Sequence, residues 1–161
     1  MTQVSDDILI LHIDDDAAFT ELVSTFLERT DDRFDVLTAT TPQEARERLS
    51  ANDVDCIVSD YEMPEQNGIE LLGSVREDHS KLPFVLYTGK GSEEIASEAI
   101  SAGVTDYLQK ETGTDQYTIL ANRISNAVEG YRIEQEAERT RTQLEAISAH
   151  SSDAIVIIDT D

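Results

Sequence analysis

The amino-acid sequence predicts an α/β protein with a doubly wound sheet of five parallel strands and a C-terminal helical extension. Five short apolar segments alternate with five amphipathic segments, which is the pattern of consecutive βαβ units. The middle apolar segments lack a polar face, so we expect helices to cover the sheet on both sides.

The predicted elements follow one another in regular order along the chain. We expect strands at residues 8–13, 34–39, 56–59, 84–88 and 106–109. We expect helices at residues 17–28, 42–50, 69–77, 93–102 and 115–128. Five βα units of this size form one domain of ordinary length.

Residues at the expected helix ends support these assignments. Thr41 and Pro42 offer an N-cap followed by a proline in the first turn, and Glu44 completes a predicted capping box. Ser92 precedes the fourth helix as an N-cap, and Gly103 follows it where a left-handed residue ends many helices.

The final third of the chain has a different pattern. Residues 129–148 contain no proline and predict a linker helix. Spacings of four and three residues separate Ile133, Ala137, Thr140, Leu144 and Ile147. This spacing predicts a weak coiled-coil seam, and a single exposed helix is the alternative because Ala and Thr make a poor seam. Residues 154–159 predict one more strand, so residues 149–161 look like the truncated start of a second domain.

The charge balance limits the classes of partner. Acidic side chains outnumber basic ones by 34 to 12, a formal net charge of −22, which disfavours nucleic acid and anionic membranes. The single cysteine, Cys56, excludes an internal disulfide and a cysteine-based zinc site. No apolar segment reaches the length of about 18 residues that a membrane span needs, and we expect a cytoplasmic location.

The acidic residues are spread along the chain, and arginine outnumbers lysine nine to three. This composition resembles that of extreme halophile proteins, since molar salt screens charge repulsion beyond about 3 Å. An ordinary acidic protein from a low-salt organism is the alternative. Because the charge is diffuse, we assign it to interaction with solvent.

Polar residues follow the predicted strands where each strand ends. They are Asp14, Asp15 and Asp16 after the first strand, Asp60 after the third, Thr88, Gly89 and Lys90 at the fourth, and Lys110 after the fifth. Ligands of parallel sheets bind beyond these ends, and oxygen-only ligands suit Mg²⁺. A lysine and a hydroxyl opposite them could hold the oxygens of a phosphoryl group. Taken singly, each residue has an ordinary explanation, such as an N-cap role for Asp16, so the prediction depends on their co-location.

These motifs together resemble the receiver domain of two-component response regulators over residues 7–128. The matching segments are residues 8–16, Asp60-Tyr61-Glu62-Met63-Pro64 with Gly68, Thr88-Gly89, and Tyr107-Leu108-Gln109-Lys110. The resemblance implies the flavodoxin-like strand order 2-1-3-4-5, for which a member of this family is a standard example. Residues 149–161 resemble the start of a Per-Arnt-Sim (PAS) sensor domain.

The resemblance implies an acceptor and a metal site. Asp60 would be the phosphoacceptor nucleophile that forms an acyl phosphate. Mg²⁺ would be held by Asp60, by Asp15 directly, by Asp14 through a water molecule and by the backbone carbonyl of Glu62.

The resemblance also implies roles for three residues on the last two strands. Lys110 would pair with the phosphate, and the Thr88 hydroxyl would move towards it. Tyr107 corresponds to the aromatic residue whose burial reports activation.

Two loops carry the remaining site residues. Glu62 and Lys90 match positions that control water access to the acyl phosphate, where an ion pair would slow hydrolysis, and Gly89 would leave room for the phosphoryl group. In one departure from the family, Lys110 precedes Glu111 rather than a proline in a cis bond. A cis bond before a non-proline residue costs about 3–4 kcal/mol, so this loop is either strained or rebuilt in the trans form.

The resemblance implies a regulatory switch with only slow autophosphorylation from small donors and slow autodephosphorylation. A histidine kinase would phosphorylate Asp60, and a conformational change would pass to a PAS or other output module of the same parent chain. A homodimer through the linker helix is a further expectation. The alternatives are a phosphorylation-independent interaction module and a Mg²⁺-dependent phosphohydrolase of the haloacid-dehalogenase type, since Asp14-x-Asp16 also follows a strand.

Two buried residues are expected to have no part in this chemistry. His12 lies inside the first strand and is predicted to be a hydrogen-bonded core residue. Cys56 begins a buried strand and is predicted to act as a small apolar side chain.

Overall fold

A computed structural model describes residues 6–89 and 91–150, with side chains described as far as residue 147. Its centre is one sheet of five parallel strands in the order β2-β1-β3-β4-β5. The strands are β1 Ile8–Ile13, β2 Phe34–Ala39, β3 Cys56–Ser59, β4 Phe84–Thr88 and β5 Asp106–Gln109. The predicted fold class, strand order and strand boundaries are confirmed.

Five helices connect and follow the strands. They are α1 Ala17–Thr30, α2 Pro42–Ala51, α3 Gly68–Asp78, α4 Glu93–Ala102 and α5 Asp115–His150. The first three extend one or two residues beyond the predicted ends, where the backbone of a terminal turn finds polar partners. Helix α5 joins the predicted helix and the predicted linker helix without a break.

Polar side chains begin several of these helices. Asp16, Thr41 and Ser92 each accept a hydrogen bond from a backbone N–H of the first turn, as predicted. The capping box predicted at Thr41 is incomplete. The Glu44 carboxylate accepts its hydrogen bond from the backbone N–H of Thr40, at 2.8 Å, and not from that of Thr41.

A complete capping box begins α3 instead. Asn67 accepts from the backbone N–H of Glu70, and the Glu70 carboxylate accepts from the backbone N–H of Asn67, both at 2.8 Å. At the end of α4, Gly103 has a φ of 94°, which glycine adopts without the steric cost of a side chain. The predicted C-terminal stop is confirmed.

The sheet separates two apolar cores. The core facing α1 and α5 includes Val23, Leu27, Leu120, Ile124 and Val128, together with the fully buried Cys56. The core facing α2, α3 and α4 includes Ala45, Leu71, Leu72, Ile95 and Ala99. Adjacent residues of β1 serve opposite cores, because side chains alternate along a strand. Helices therefore cover both faces of the sheet, as predicted.

The chain divides into two compact units between Val128 and Glu129. In the second unit, α5 exposes Ile133, Leu144 and Ile147. The predicted strand at residues 154–159, and all but the first two residues of the predicted PAS segment, lie outside the described residues. No helix in the described part of the chain is long and apolar enough to cross a membrane.

Candidate functional site

The sheet register brings the ends of four strands together. Strand β1 lies between β2 and β3, and the backbone N–H of Asp60 donates to the carbonyl of Ile13 at 2.9 Å. Strand β5 lies beside β4, and the backbone N–H of Lys110 donates to the carbonyl of Thr88 at 2.9 Å. Residues that follow the strands in sequence are therefore neighbours at one edge of the sheet.

Three carboxylates meet at this edge. One oxygen each from Asp14, Asp15 and Asp60 lies within 4.8 Å of the other two. Asp14 and Asp60 are buried, whereas Asp15 is exposed. The backbone N–H of Asp16 donates to Asp14 Oδ1 at 2.9 Å, which holds that carboxylate in place.

Lys110 supplies the positive charge opposite the acids. Its Nζ lies 2.6 Å from Asp14 Oδ2 and 3.4 Å from Asp60 Oδ2. The same Nζ lies 4.4 Å from the centre of the Phe19 ring, within the range of a cation–π interaction. The ammonium group is thus held between two carboxylates and an aromatic face.

Several neighbours of Asp60 shift the pKa of its carboxyl group. Burial raises its pKa, the Lys110 charge lowers the pKa, and the Asp14 charge raises it again. Its carboxylate also accepts hydrogen bonds from the Thr88 hydroxyl and, at 2.7 Å, from the backbone N–H of Tyr61. The side chain is therefore oriented by donors from two strand ends.

The donor set fits Mg²⁺. This ion takes hard oxygen ligands, commonly one or two carboxylates with water and phosphate oxygens. Asp14, Asp15 and Asp60 offer only such oxygens, and Lys110 balances part of their charge. These three aspartates would hold the ion, which when bound would neutralise charge on a phosphoryl group.

Gly68 keeps the start of α3 close to this edge. A Cβ atom built on it would lie 2.2 Å from the carbonyl oxygen of Asp60 and 2.8 Å from Leu86 Cδ1. Its backbone N–H donates to the carbonyl of Tyr61 at 2.8 Å. A side chain at residue 68 would displace the segment that begins with Asp60.

The remaining predicted site residues surround the carboxylates less closely. Tyr107 packs against the second core, and its buried hydroxyl finds no hydrogen-bond partner among the described residues. Glu62 is exposed in the loop after β3. Among the described residues, a Cβ atom on Gly89 would contact Lys110 Cδ alone, at 3.9 Å. Lys90 lies outside the described residues.

His12 departs from the prediction in one respect. It is buried as expected, but its Nδ1 has no hydrogen-bond partner within the described part of the chain. Burial lowers its pKa to about 4; the Asp14 charge opposes that shift and the Lys110 charge adds to it. The imidazole lies edge-on to Phe19, with ring centres 6.0 Å apart.

Two residues near Lys110 belong to none of the sequence motifs described above. Phe19 lies in the first turn of α1, and Gln116 lies in the first turn of α5. Gln116 hydrogen-bonds the loop that follows Lys110, where the bond between Lys110 and Glu111 is trans. The contact of Phe19 with Lys110 joins residues far apart in the chain, so no local pattern identifies it.

Comparison with known proteins agrees with this geometry. The model of the response regulator receiver domain matches residues 10–122. The chain is 29% identical over 142 residues to the transcriptional regulatory protein SrrA of Staphylococcus aureus, a match that covers 88% of this chain and 57% of that protein. The chain thus spans little more than half the length of this curated relative.

Solved structures show the same fold. A response regulator receiver domain protein from Clostridium thermocellum has a TM-score of 0.71 and 25% identity, covering 78% of this chain and 98% of that one. The chemotaxis protein CheY4 of Vibrio cholerae has a TM-score of 0.67 and 26% identity, and the match covers 73% of this chain and 98% of CheY4. The chain belongs to the response regulator receiver domain family, whose members are phosphoacceptor regulatory domains of two-component systems rather than true enzymes.

Proposed function

We propose that Asp60 accepts a phosphoryl group from a histidine kinase, with Mg²⁺ held by Asp14, Asp15 and Asp60. The main support is that the buried carboxylate of Asp60 lies beside those of Asp14 and Asp15 and also contacts Lys110 and Thr88. A nucleophile, a cation-binding set and two phosphate-binding side chains are thereby combined at one edge of the sheet. The backbone carbonyl of Glu62 completes the proposed metal ligands.

The transfer requires one bond to form and one to break. A carboxylate oxygen of Asp60 bonds to phosphorus while the bond from phosphorus to the histidine nitrogen of the donor breaks. The departing nitrogen keeps the electron pair and takes a proton from solvent. Lys110 and the Thr88 hydroxyl hold phosphoryl oxygens, and Tyr107 couples the change at Thr88 to the helices beyond.

The acceptor is tested by phosphorylation with acetyl phosphate and Mg²⁺. Mass spectrometry should place one phosphoryl group on Asp60 in the natural chain and none in Asp60→Asn. Asp16→Asn is a matched control, because Asn caps a helix as well as Asp does and should leave labelling unchanged. Undiminished labelling of Asp60→Asn would reject the assignment. Steady turnover of a phosphate ester would favour the haloacid-dehalogenase alternative.

We infer that the phosphorylated state is protected by Glu62 and Lys90, with Gly89 leaving room for the phosphoryl group. Support comes from the exposure of Glu62 and from the position of Gly89 beside the Lys110 side chain, where a Cβ atom would lie 3.9 Å from Lys110 Cδ. An exposed ion pair contributes only about 0–1 kcal/mol, so the expected acceleration of dephosphorylation in Lys90→Ala is a few-fold. Lys81→Ala, at the opposite end of β4, serves as the control. Equal dephosphorylation rates in the natural chain, Lys90→Ala and Lys81→Ala would show that the pair does not protect the acyl phosphate.

We propose that the second unit forms a parallel dimer and relays the signal to a PAS or other output module beyond it. Glu136 and Arg141 flank the seam residues Ile133, Ala137, Thr140 and Leu144 on one face of α5. In a parallel pair with this heptad register, Glu136 of one copy faces Arg141 of a second copy, which is favourable. Glu134 would face Glu129 of the other copy, an unfavourable pair that keeps the dimer weak.

Light scattering tests this dimer in the present chain and in a chain extended beyond residue 161. Leu144→Asp should reduce the dimer fraction. Glu136→Arg should also reduce it, and adding Arg141→Glu should restore it by reversing the pair. Glu145→Arg, a charge reversal outside the seam, is the control. A monomer at all concentrations in both chains would reject the coiled coil.

We further propose that the protein is adapted to molar salt. Its net charge of −22 is spread over the chain, so self-repulsion should destabilise the fold when salt is low. The melting temperature should rise between about 0.1 M and about 1 M potassium chloride, as the screening length falls from about 10 Å to about 3 Å. An unchanged melting temperature would favour an ordinary acidic protein.

A further inference from the structure

The Gln116 side chain bonds the backbone of the loop after β5 at several points. Gln116 Oε1 accepts from the backbone N–H of Glu111 at 3.1 Å, and Gln116 Nε2 donates to the carbonyl of Gly113 at 2.9 Å. Nε2 also donates to the carbonyl of Glu111. Three backbone groups directly after Lys110 are thereby bonded to one amide.

The same amide reaches β4. The Tyr87 hydroxyl donates to Gln116 Oε1, and Tyr87 directly precedes Thr88 in the strand. Burial raises the pKa of the Tyr87 hydroxyl, so the group remains a donor at neutral pH. Gln116 therefore links the loop after Lys110 to the strand that ends at Thr88.

Aromatic contacts connect this link to the other end of Lys110. The Tyr87 ring stacks on the Phe19 ring, with centres 6.1 Å apart. The Phe19 ring in turn lies 4.4 Å from Lys110 Nζ. Gln116 thus holds the N–H of the peptide group that joins Lys110 to Glu111, Phe19 contacts the Lys110 ammonium group, and Tyr87 contacts both Gln116 and Phe19.

We propose that Gln116 is a positioning residue for Lys110, in a loop that has no proline to restrict it. The proposal rests on the function proposed for Lys110 above. Only an amide satisfies all four groups, since Oε1 accepts from two donors and Nε2 donates to two carbonyls. A carboxylate of the same shape would still accept from the two donors but would face both carbonyls with an acceptor, so Gln116→Glu replaces two hydrogen bonds by repulsion with little change in volume.

The test is a double-mutant cycle on the rate of phosphorylation by acetyl phosphate. Gln116→Glu should slow the reaction about tenfold in the natural chain and change it less than about twofold in Lys110→Ala, because the two residues act through one another. Tyr87→Phe removes a single hydrogen bond and should show a smaller loss with the same dependence on Lys110. It serves as the second variant if Gln116→Glu folds poorly. An equal loss in both backgrounds, or no loss in either, would overturn the proposal.

Two further measurements separate this proposal from the proposed function. Hydrogen exchange at the Glu111 amide should accelerate in Gln116→Leu, which removes the accepting Oε1, with or without Lys110, and an unchanged exchange rate would overturn the proposal. Mg²⁺ affinity should be the same in the natural chain and in Gln116→Glu, since Gln116 contacts none of the aspartates in the cluster. A large loss of Mg²⁺ affinity would indicate general distortion and overturn it as well. If Lys110→Ala alone left phosphorylation unchanged, the proposed function of Lys110 would fail, and the exchange result would still report on the loop.

Discussion

Helix α5 carries a similar apolar spacing in two stretches, and only the first is buried. In the first unit its buried residues are Tyr117, Leu120, Ala121, Ile124 and Val128. In the second unit Ile133 is 71% exposed, Leu144 63% and Ile147 54%. Both stretches repeat at three and four residues, so the spacing specifies a face of the helix in each case. The comparison teaches that periodicity selects the face, whereas the presence of a sheet against it decides whether that face is buried.

The largest expected contrast is in thiol chemistry. Cysteines introduced by Ala121→Cys and Ala137→Cys probe the two stretches, and buried Cys56 is an internal reference whose pKa is raised by burial. Alkylation needs an accessible thiolate, so residue 121 should react at least about a thousandfold more slowly than residue 137, through unfolding alone. Iodoacetamide labelling followed by mass spectrometry measures both rates. Slow labelling of residue 137 at low protein concentration would show that its face is covered.

A smaller contrast is expected in stability. Leu120→Ala removes a fully buried side chain and should lower the free energy of unfolding by about 2–5 kcal/mol. Leu144→Ala changes an exposed side chain and should alter it by less than about 0.5 kcal/mol in the monomer. Urea unfolding at low protein concentration gives both values. Equal losses would mean that the two stretches contribute alike and would contradict the comparison.

The smallest contrast concerns ion pairs of the same helix. Arg123 Nη1 lies 2.8 Å from both carboxylate oxygens of Asp106 on β5, whereas Arg139 pairs with Glu136 at 2.6 Å within the helix. Arg123→Ala should cost about 0.5–1 kcal/mol and Arg139→Ala at most about 0.5 kcal/mol, because both pairs are partly exposed. Urea unfolding at low and high salt measures the difference. A larger loss for Arg139→Ala would reverse the ranking.

Most of the fold follows from local patterns. The strand ends coincide with the predicted ones, because buried parallel strands are continuous apolar segments bounded by polar residues. The capping box at Asn67 and Glu70 was within reach of the same reasoning, since an Asx residue followed three positions later by Glu is its pattern. The capping box predicted at Thr41 and Glu44 is incomplete because the Glu44 carboxylate accepts from the N–H of Thr40, one residue before the cap.

Part of the candidate site could also be predicted from the sequence, and part could not. Asp14 and Asp60 could be placed together from sequence because each follows a strand and the ends of parallel strands share an edge. The contacts of Lys110 with Phe19 and of Gln116 with Tyr87 could not, because they join α1 to β5 and β4 to α5. Nor does the sequence indicate that His12 Nδ1 has no hydrogen-bond partner among the residues that the structure describes, since that depends on which groups surround a buried ring.

The sequence by itself determined which segments become strands and helices, and which acidic and basic residues reach the carboxyl edge of the sheet. These properties depend on alternation and periodicity within about ten residues, where the chain's own geometry is decisive. Only the tertiary structure decided that the apolar face of α5 is buried as far as Val128 and that Ile133, Leu144 and Ile147 are exposed, and that Gln116 bonds Tyr87 of β4. Burial and hydrogen bonding between distant segments depend on the neighbours that folding supplies, and no local pattern encodes them.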